Sequence, residues 1–245
     1  MNALGLSGPG AQALLERGIW QKWTDTFTLS FMSVAPTAEG RLKEYQCFVA
    51  LLKDHLPYFY ASGRKVALQN NVSCPNVKVK MGNIVEEVHN MADAGAILGI
   101  PQIFKINILV SIDEAHAISR HKHVDAICLT NTLPYGSQPY GESNHIDWKD
   151  LLGMNESPLK QFGGGGLSGA PLFPLLLDWL RRAKGYVHKP LIVVGGIMSK
   201  RDVQLIQEVK QEEGVRIEAI ALGSIVMLRP WNIVEVVREA RRIIR

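Results

Sequence analysis

Gln102-Ile103-Phe104-Lys105-Ile106-Asn107-Ile108-Leu109 decides how this chain folds. In an extended strand Phe104, Ile106 and Ile108 share one face, while Lys105 and Asn107 share the other. Thr26–Met32 repeats the pattern, with Thr26, Thr28 and Ser30 alternating with Phe27, Leu29 and Phe31. An apolar face under helices and a mixed, polar face opposite suit a barrel with a ligand over its mouth. An open doubly wound sheet more often shows apolar residues on both faces.

Working outward, β-branched apolar runs alternate with amphipathic segments along the whole chain. The spacing predicts strands at Thr26–Met32, Lys65–Ser73, Gln102–Leu109, Ala126–Thr132, Leu191–Ile197 and Glu218–Val226. It predicts helices at Gly10–Lys22, Arg41–His55, Asn83–Leu98, Asp113–His121, Pro171–Lys184, Lys200–Glu213 and Trp231–Ile244. Asp113 and Ser199 are expected caps; Gly99, Gly185 and Gly214 are expected stops. The alternation predicts one α/β domain over residues 1–245, a (β/α)8 TIM barrel. Six strands are legible where a complete barrel has eight, and the deficit lies at the N-terminus. Leu133–Gly169 is too long for an ordinary βα connection and reads as an excursion over the barrel mouth, with a disordered insert as the alternative.

The chain has 245 residues, 47% hydrophobic, enough for a substantial core, and a mild formal net charge of +4. The densest basic group, Arg238, Arg241, Arg242 and Arg245, lies along the last helix and reads as a solvated face, so nucleic-acid binding is not expected. Three cysteines argue against a disulfide framework and for a reducing cytoplasm. Cys47 and Cys128 lie in apolar patterns and are expected in the core. There is no membrane-spanning stretch and no signal-peptide start, so a soluble cytoplasmic protein is expected.

Chemistry concentrates at the predicted strand ends. Gln69-Asn70-Asn71-Val72-Ser73-Cys74-Pro75-Asn76 follows a buried strand that Pro75 stops. Its amides both donate and accept, which suits a planar ligand with carbonyl, N–H and carboxylate groups. Cys74 is a candidate nucleophile or base if its pKa is lowered. A plain Asn/Pro turn is the alternative. Lys105, facing a barrel interior, pays desolvation unless a polar ligand or anion meets it. Asn131 adds another amide at the same mouth.

Gly195-Gly196 and Gly223-Ser224 end the last two strands. Glycine lets backbone N–H groups approach an anion, and in barrels this is the usual phosphate site. A phosphate-bearing cofactor or substrate is therefore expected, with structural turns as the alternative. Gly163–Gly169 is either another part of the cradle or a flexible linker. The histidines show no metal-binding spacing, and neither a GxSxG elbow nor a Walker A sequence occurs, so metal and serine-hydrolase chemistry are not expected.

Together these segments resemble the dihydroorotate dehydrogenases, FMN-dependent (β/α)8 enzymes of pyrimidine synthesis. Asn2-Ala3-Leu4-Gly5-Leu6 with Pro9-Gly10 is similar to the family's substrate loop, and Asn71–Asn76 to its Asn-Leu-Ser-Cys-Pro-Asn motif. Lys105 matches the strand-five lysine, Asn131-Thr132 the strand-six pair, and Gly165–Gly169 the Gly-Gly-Leu-Ser-Gly loop. Gly195-Gly196-Ile197 and Gly223-Ser224 match the FMN phosphate segments, with Ser224 for the commoner Thr. The resemblance implies Cys74 as general base, as in the soluble class 1 enzymes. It implies Asn2, Asn71, Asn76, Asn131 and Thr132 as ligands of dihydroorotate and orotate. Lys105, Gly169, Gly195, Gly196, Gly223 and Ser224 would hold FMN. It also implies a homodimer or an iron–sulfur flavoprotein subunit as partner. The family's first two strands, with a second lysine, have no counterpart here. A truncated sequence, a fragment completed by another chain, and a divergent protein that no longer binds flavin normally are the explanations. Another phosphate-binding barrel enzyme is the remaining alternative, and it leaves the Asn/Cys/Asn cluster unexplained.

Overall fold

The computed structural model describes residues 1–3, 5–22, 25–60, 65–73, 83–139 and 145–244. Its centre is a parallel sheet of β1 (Phe27–Phe31), β2 (Val66–Asn71), β3 (Gln102–Ile106), β4 (Ala126–Leu129), β7 (Leu191–Val193) and β8 (Ile217–Ile220), in the order β1-β2-β3-β4-β7-β8. Helices α2 (Ala38–Tyr60), α3 (Ile84–Gly95), α4 (Ile112–Arg120), α6 (Phe173–Arg182), α7 (Lys200–Glu213) and α9 (Ile233–Ile243) alternate with these strands. This is the expected α/β architecture, a six-stranded part of a (β/α)8 barrel. Among the described residues β1 pairs only with β2 and β8 only with β7, so the two outer edges stay open.

The alternation read from sequence explains the layers. Val66, Leu68 and Asn70 of β2 are buried, whereas Ala67, Gln69 and Asn71 are only half-buried on the inner face. On β1, Leu29 is buried and Thr28 and Ser30 are exposed. Phe27 and Phe31 instead meet the aromatic face of α2: Phe31 stacks on Phe48 at 4.0 Å and Phe27 contacts Phe59 at 5.7 Å. Trp179 of α6 is fully buried and donates from Nε1 to the Val110 carbonyl at 3.0 Å, tying that helix to the loop after β3.

Several boundaries differ from the sequence expectation. β3 stops at Ile106, because the side chain of Asn107 takes the Leu109 N–H at 3.0 Å and turns the chain. Residues Ser224–Leu228 form helix α8, not the end of a strand; Ile225 is buried while Val226, Met227 and Leu228 are exposed. The cap of α4 is Ser111, in a capping box with Glu114, rather than Asp113. Ser199 and Gly214 bound α7 as expected. Cys128 is buried, but Cys47 is exposed: it follows Tyr45 on α2 by two positions and falls on the solvent side.

The excursion after β4 is ordered at its base. β5 (Leu133–Pro134) pairs antiparallel with β6 (Gly166–Leu167), and the bridge between Asn2 and Gly166 adds a third segment. The Asn2 N–H donates to the Gly166 carbonyl at 2.8 Å, and the Gly166 N–H returns a bond at 2.7 Å. The glycine run is thus a structural element here, not a linker. Helix α5 (Trp148–Leu152) folds back onto the segment after β5, with Trp148 Nε1 donating to the Ser137 carbonyl at 3.0 Å. Helix α1 (Ala11–Glu16) lies between the N-terminal segment and β1.

Candidate functional site

A cavity of about 140 Å³ opens at the C-terminal ends of β3, β4, β7 and β8. Lys105 and Asn131-Thr132 line one side; Gly169, Gly195-Gly196 and Gly223-Ser224 line the other. Sequence reasoning had placed these residues in separate motifs, and the sheet brings them together.

Lys105 follows from register. It pairs with Asn71 on β2 and with Cys128 on β4, so these three residues occupy one row across the inner face. Burial pushes the Cys128 thiol up to about 11, only partly offset by the Lys105 ammonium. Cys128 therefore stays protonated at neutral pH and is no nucleophile.

The amides beside Lys105 are linked. Asn131 Nδ2 donates to Asn71 Oδ1 at 2.8 Å, and Asn131 Oδ1 accepts the Thr132 N–H at 3.0 Å. Ser73 Oγ donates to the Lys105 carbonyl at 3.1 Å, holding the chain after β2 against β3. Thr132 Oγ1 is buried and has no partner among the described residues, so a ligand atom there would relieve an unsatisfied polar group. Asn2 is one step further out: its Nδ2 donates to Ser168 Oγ at 3.1 Å, and Ser168 lines the cavity. Cys74 and Asn76 lie outside the described residues.

The glycine side is a cradle that side chains would fill. Gly195 (φ 134°) and Gly196 (φ 71°) adopt backbone conformations that L side chains rarely take. A Cβ on Gly195 would lie 2.8 Å from Thr130 Cγ2, and one on Gly196 would lie 2.7 Å from the Phe173 nitrogen. Gly223 has open space around its Cβ position. Turns without side chains, which let a group approach their backbone beside a lysine, fit a phosphate-bearing group. Ser73, Asn107, Thr130 and Ser168 were not singled out from the sequence as site residues. Ser73 and Ser168 sit inside the quoted motifs, so membership of those motifs was the available signal.

Among the described residues no group of three or more His, Cys, Asp or Glu side chains is arranged to hold a metal ion. None of the described helices is long and apolar enough to cross a membrane.

Fold and site together define a βα-barrel protein with glycine turns facing a lysine and a cluster of amides across one cavity. The family model for dihydroorotate dehydrogenase matches residues 1–207, and the chain belongs to that family. It is 26% identical over 243 residues to the dihydroorotate dehydrogenase B (NAD(+)) catalytic subunit of Endomicrobium trichonymphae, covering 97% of this chain and 69% of the relative. The protein of the same name from Geobacillus sp. (strain WCH70) is 27% identical over 209 residues, covering 83% of this chain and 59% of the relative. The chain thus spans 59–69% of the length of these two relatives. Among solved structures, a chain of the Amycolatopsis orientalis BexX/CysO complex gives a TM-score of 0.46 at 16% identity, covering 89% of this chain and 67% of that one.

Proposed function

We propose that this chain is the barrel of an FMN-dependent enzyme that oxidises dihydroorotate to orotate in pyrimidine biosynthesis. The observation that carries the reading is the convergence of Lys105, the Asn71–Asn131 amide pair and the bare glycine turns on one mouth. At about 140 Å³ the cavity is smaller than the ~300–1,000 Å³ usual for ligand pockets, so its glycine wall suits the phosphate end of FMN rather than the whole cofactor. Bound FMN supplies the hydride acceptor that protein side chains lack.

The chain's own groups have the remaining tasks. Gly169, Gly195, Gly196, Gly223 and Ser224 hold the phosphate end through backbone and hydroxyl groups. Lys105 supplies positive charge to the cofactor. Asn2, Asn71, Asn76, Asn131 and Thr132 orient dihydroorotate through its carbonyl, N–H and carboxylate groups. Cys74 takes the proton from the ring carbon. A thiol of ordinary pKa near 8.5 is only about 3% ionised at pH 7, so the site must favour that transfer.

The test is direct. Purified protein supplied with FMN is expected to hold it and absorb near ~450 nm, a property of flavins generally. Cys74→Ala is expected to slow reduction by dihydroorotate while FMN stays bound. Loss of FMN with that substitution, or unchanged reduction, removes the assigned role. A colourless protein that binds sugar phosphates favours a different phosphate-binding barrel.

A second reading rests on the open edges of β1 and β8: the chain acts only when another polypeptide covers them. A second copy or an iron–sulfur flavoprotein subunit are the partner classes. A monodisperse monomer that unfolds cooperatively and retains FMN removes this reading.

A further inference from the structure

The loops leaving β3 and β4 satisfy each other's polar groups. Asn107 is buried, donates from Nδ2 to the Thr132 carbonyl at 2.5 Å, and accepts the Leu109 N–H at 3.0 Å. Thr130 Oγ1 accepts the Ile108 N–H at 3.1 Å and donates to the Asn131 carbonyl at 2.9 Å. The Asn131 N–H donates to the Ile106 carbonyl at 3.0 Å. Asn131 and Thr132 therefore have both carbonyls fixed.

This lacing has a consequence for direction. The Thr132 N–H points at the Asn131 side-chain amide at 3.0 Å, and only Oδ1 can accept it. A flipped Asn131 would set an NH2 group against that N–H, donor facing donor. With Oδ1 taken, Nδ2 turns to Asn71 and donates to its Oδ1 at 2.8 Å. Asn71 Oδ1 also faces the Ser73 N–H at 3.5 Å, so oxygen is the atom Asn71 commits inward. Among the described residues its Nδ2 is left for a ligand.

We propose that Asn107 is a positioning residue that, with Thr130, sets the direction of the chain Thr132 N–H to Asn131 to Asn71. Asn71 then presents N–H donors, and the site selects a ligand with a carbonyl or carboxylate acceptor at that point. The choice of orotate as probe rests on the function proposed above; the direction of the amide chain does not.

The experiment follows the side-chain amide resonances of Asn71 and Asn131 in wild type, Asn107→Ala and Asn107→Asp, alongside orotate titrations. In Asn107→Ala both resonances are expected to move, and orotate binding is expected to weaken about tenfold. Asn107→Asp sets a carboxylate against the Thr132 carbonyl at neutral pH. Once protonated, the acid can donate again, so resonances and affinity are expected to return as pH falls through its titration. A merely structural loss gives no such recovery. Unmoved resonances in Asn107→Ala, or an Asn107→Asp variant whose resonances ignore pH, overturn the proposal. Wild type that takes no orotate removes the ligand reading, while the ligand-free resonances still decide the positioning role.

Discussion

A Cβ on Gly196 would sit 2.6 Å from the carbonyl oxygen of Gly169, so the turn after β7 and the glycine loop before α6 can pack only without a side chain. With φ at 71°, Gly196 also occupies a conformation that disfavours L side chains. Gly196→Ala is expected to lower stability by about 2 kcal/mol or more in urea unfolding and to abolish FMN binding. Gly223→Ala is the contrast. There φ is −122°, and a Cβ meets nothing within 4 Å. It should leave the unfolding free energy within about 0.5 kcal/mol of wild type while weakening binding of phosphate-bearing ligands. Equal losses of stability in the two variants would count against this division.

Lys105 separates stability from binding in another way. It is half-buried in one row with Asn71 and Cys128, and among the described residues no carboxylate pairs with it. Lys105→Met keeps the stem volume and removes a charge whose burial opposes folding. The expected result is a stability equal to or about 1 kcal/mol above wild type, with FMN affinity reduced at least about tenfold. A variant that loses stability and keeps FMN would show that the ammonium is structural.

The parallel sheet was legible because apolar, β-branched runs recur between amphipathic segments along the chain, and Thr26–Met32 and Gln102–Leu109 also alternate polar with apolar residues. Lys105 stood out as a charge inside an apolar strand, and the glycines at both late strand ends stood out by position. Strand ends were harder. Polar Asn107 and Thr130 continue the alternating pattern, so they read as further strand residues, although their side chains instead lace two loops together. The pairing of Leu133–Pro134 with Gly166–Leu167 was invisible because two residues carry no periodicity. Cys47 misled because Phe48 and Val49 are buried beside it, yet one helical step of about 100° separates it from that face.

A buried ion pair holds the loop after β1. Arg41 donates from Nε to Glu87 Oε2 at 2.9 Å and from Nη2 to Glu87 Oε1 at 2.5 Å, joining α2 to α3. Its Nη1 reaches the Ala35 and Pro36 carbonyls, each at 3.2 Å. Glu87→Ala leaves the guanidinium largely buried without a counter-charge and is expected to cost about 3–5 kcal/mol in urea unfolding. The double variant Arg41→Met with Glu87→Leu should recover most of that, since Pro36 is exposed and water can serve its carbonyl. A double variant no better than Glu87→Ala would place the energy in the carbonyl contacts.

Acid sensitivity is expected around His121. Burial lowers its pKa first, the neighbouring His89 charge lowers it further, and His123 adds in the same direction; Asp93 opposes them. The geometry agrees: His89 and His121 rings stack at 4.6 Å, while Asp93 Oδ1 lies 3.5 Å from His121 Nε2 and 4.0 Å from His123 Nε2. A histidine whose folded pKa is depressed binds fewer protons folded than unfolded. Its contribution is fully present above the unfolded value near 6.5 and is lost as pH falls from there through the folded value. Thermal midpoints should therefore fall between pH 7.5 and pH 5.5, and His121→Gln should show a smaller fall because it cannot titrate. His123→Gln separates the burial effect from repulsion between histidines: it removes one unfavourable charge and raises the folded pKa of His121, so the His121-dependent loss should still begin near 6.5 but be complete at a higher pH, with a smaller amplitude. An identical pH dependence in wild type and His121→Gln would assign the acid sensitivity to other groups.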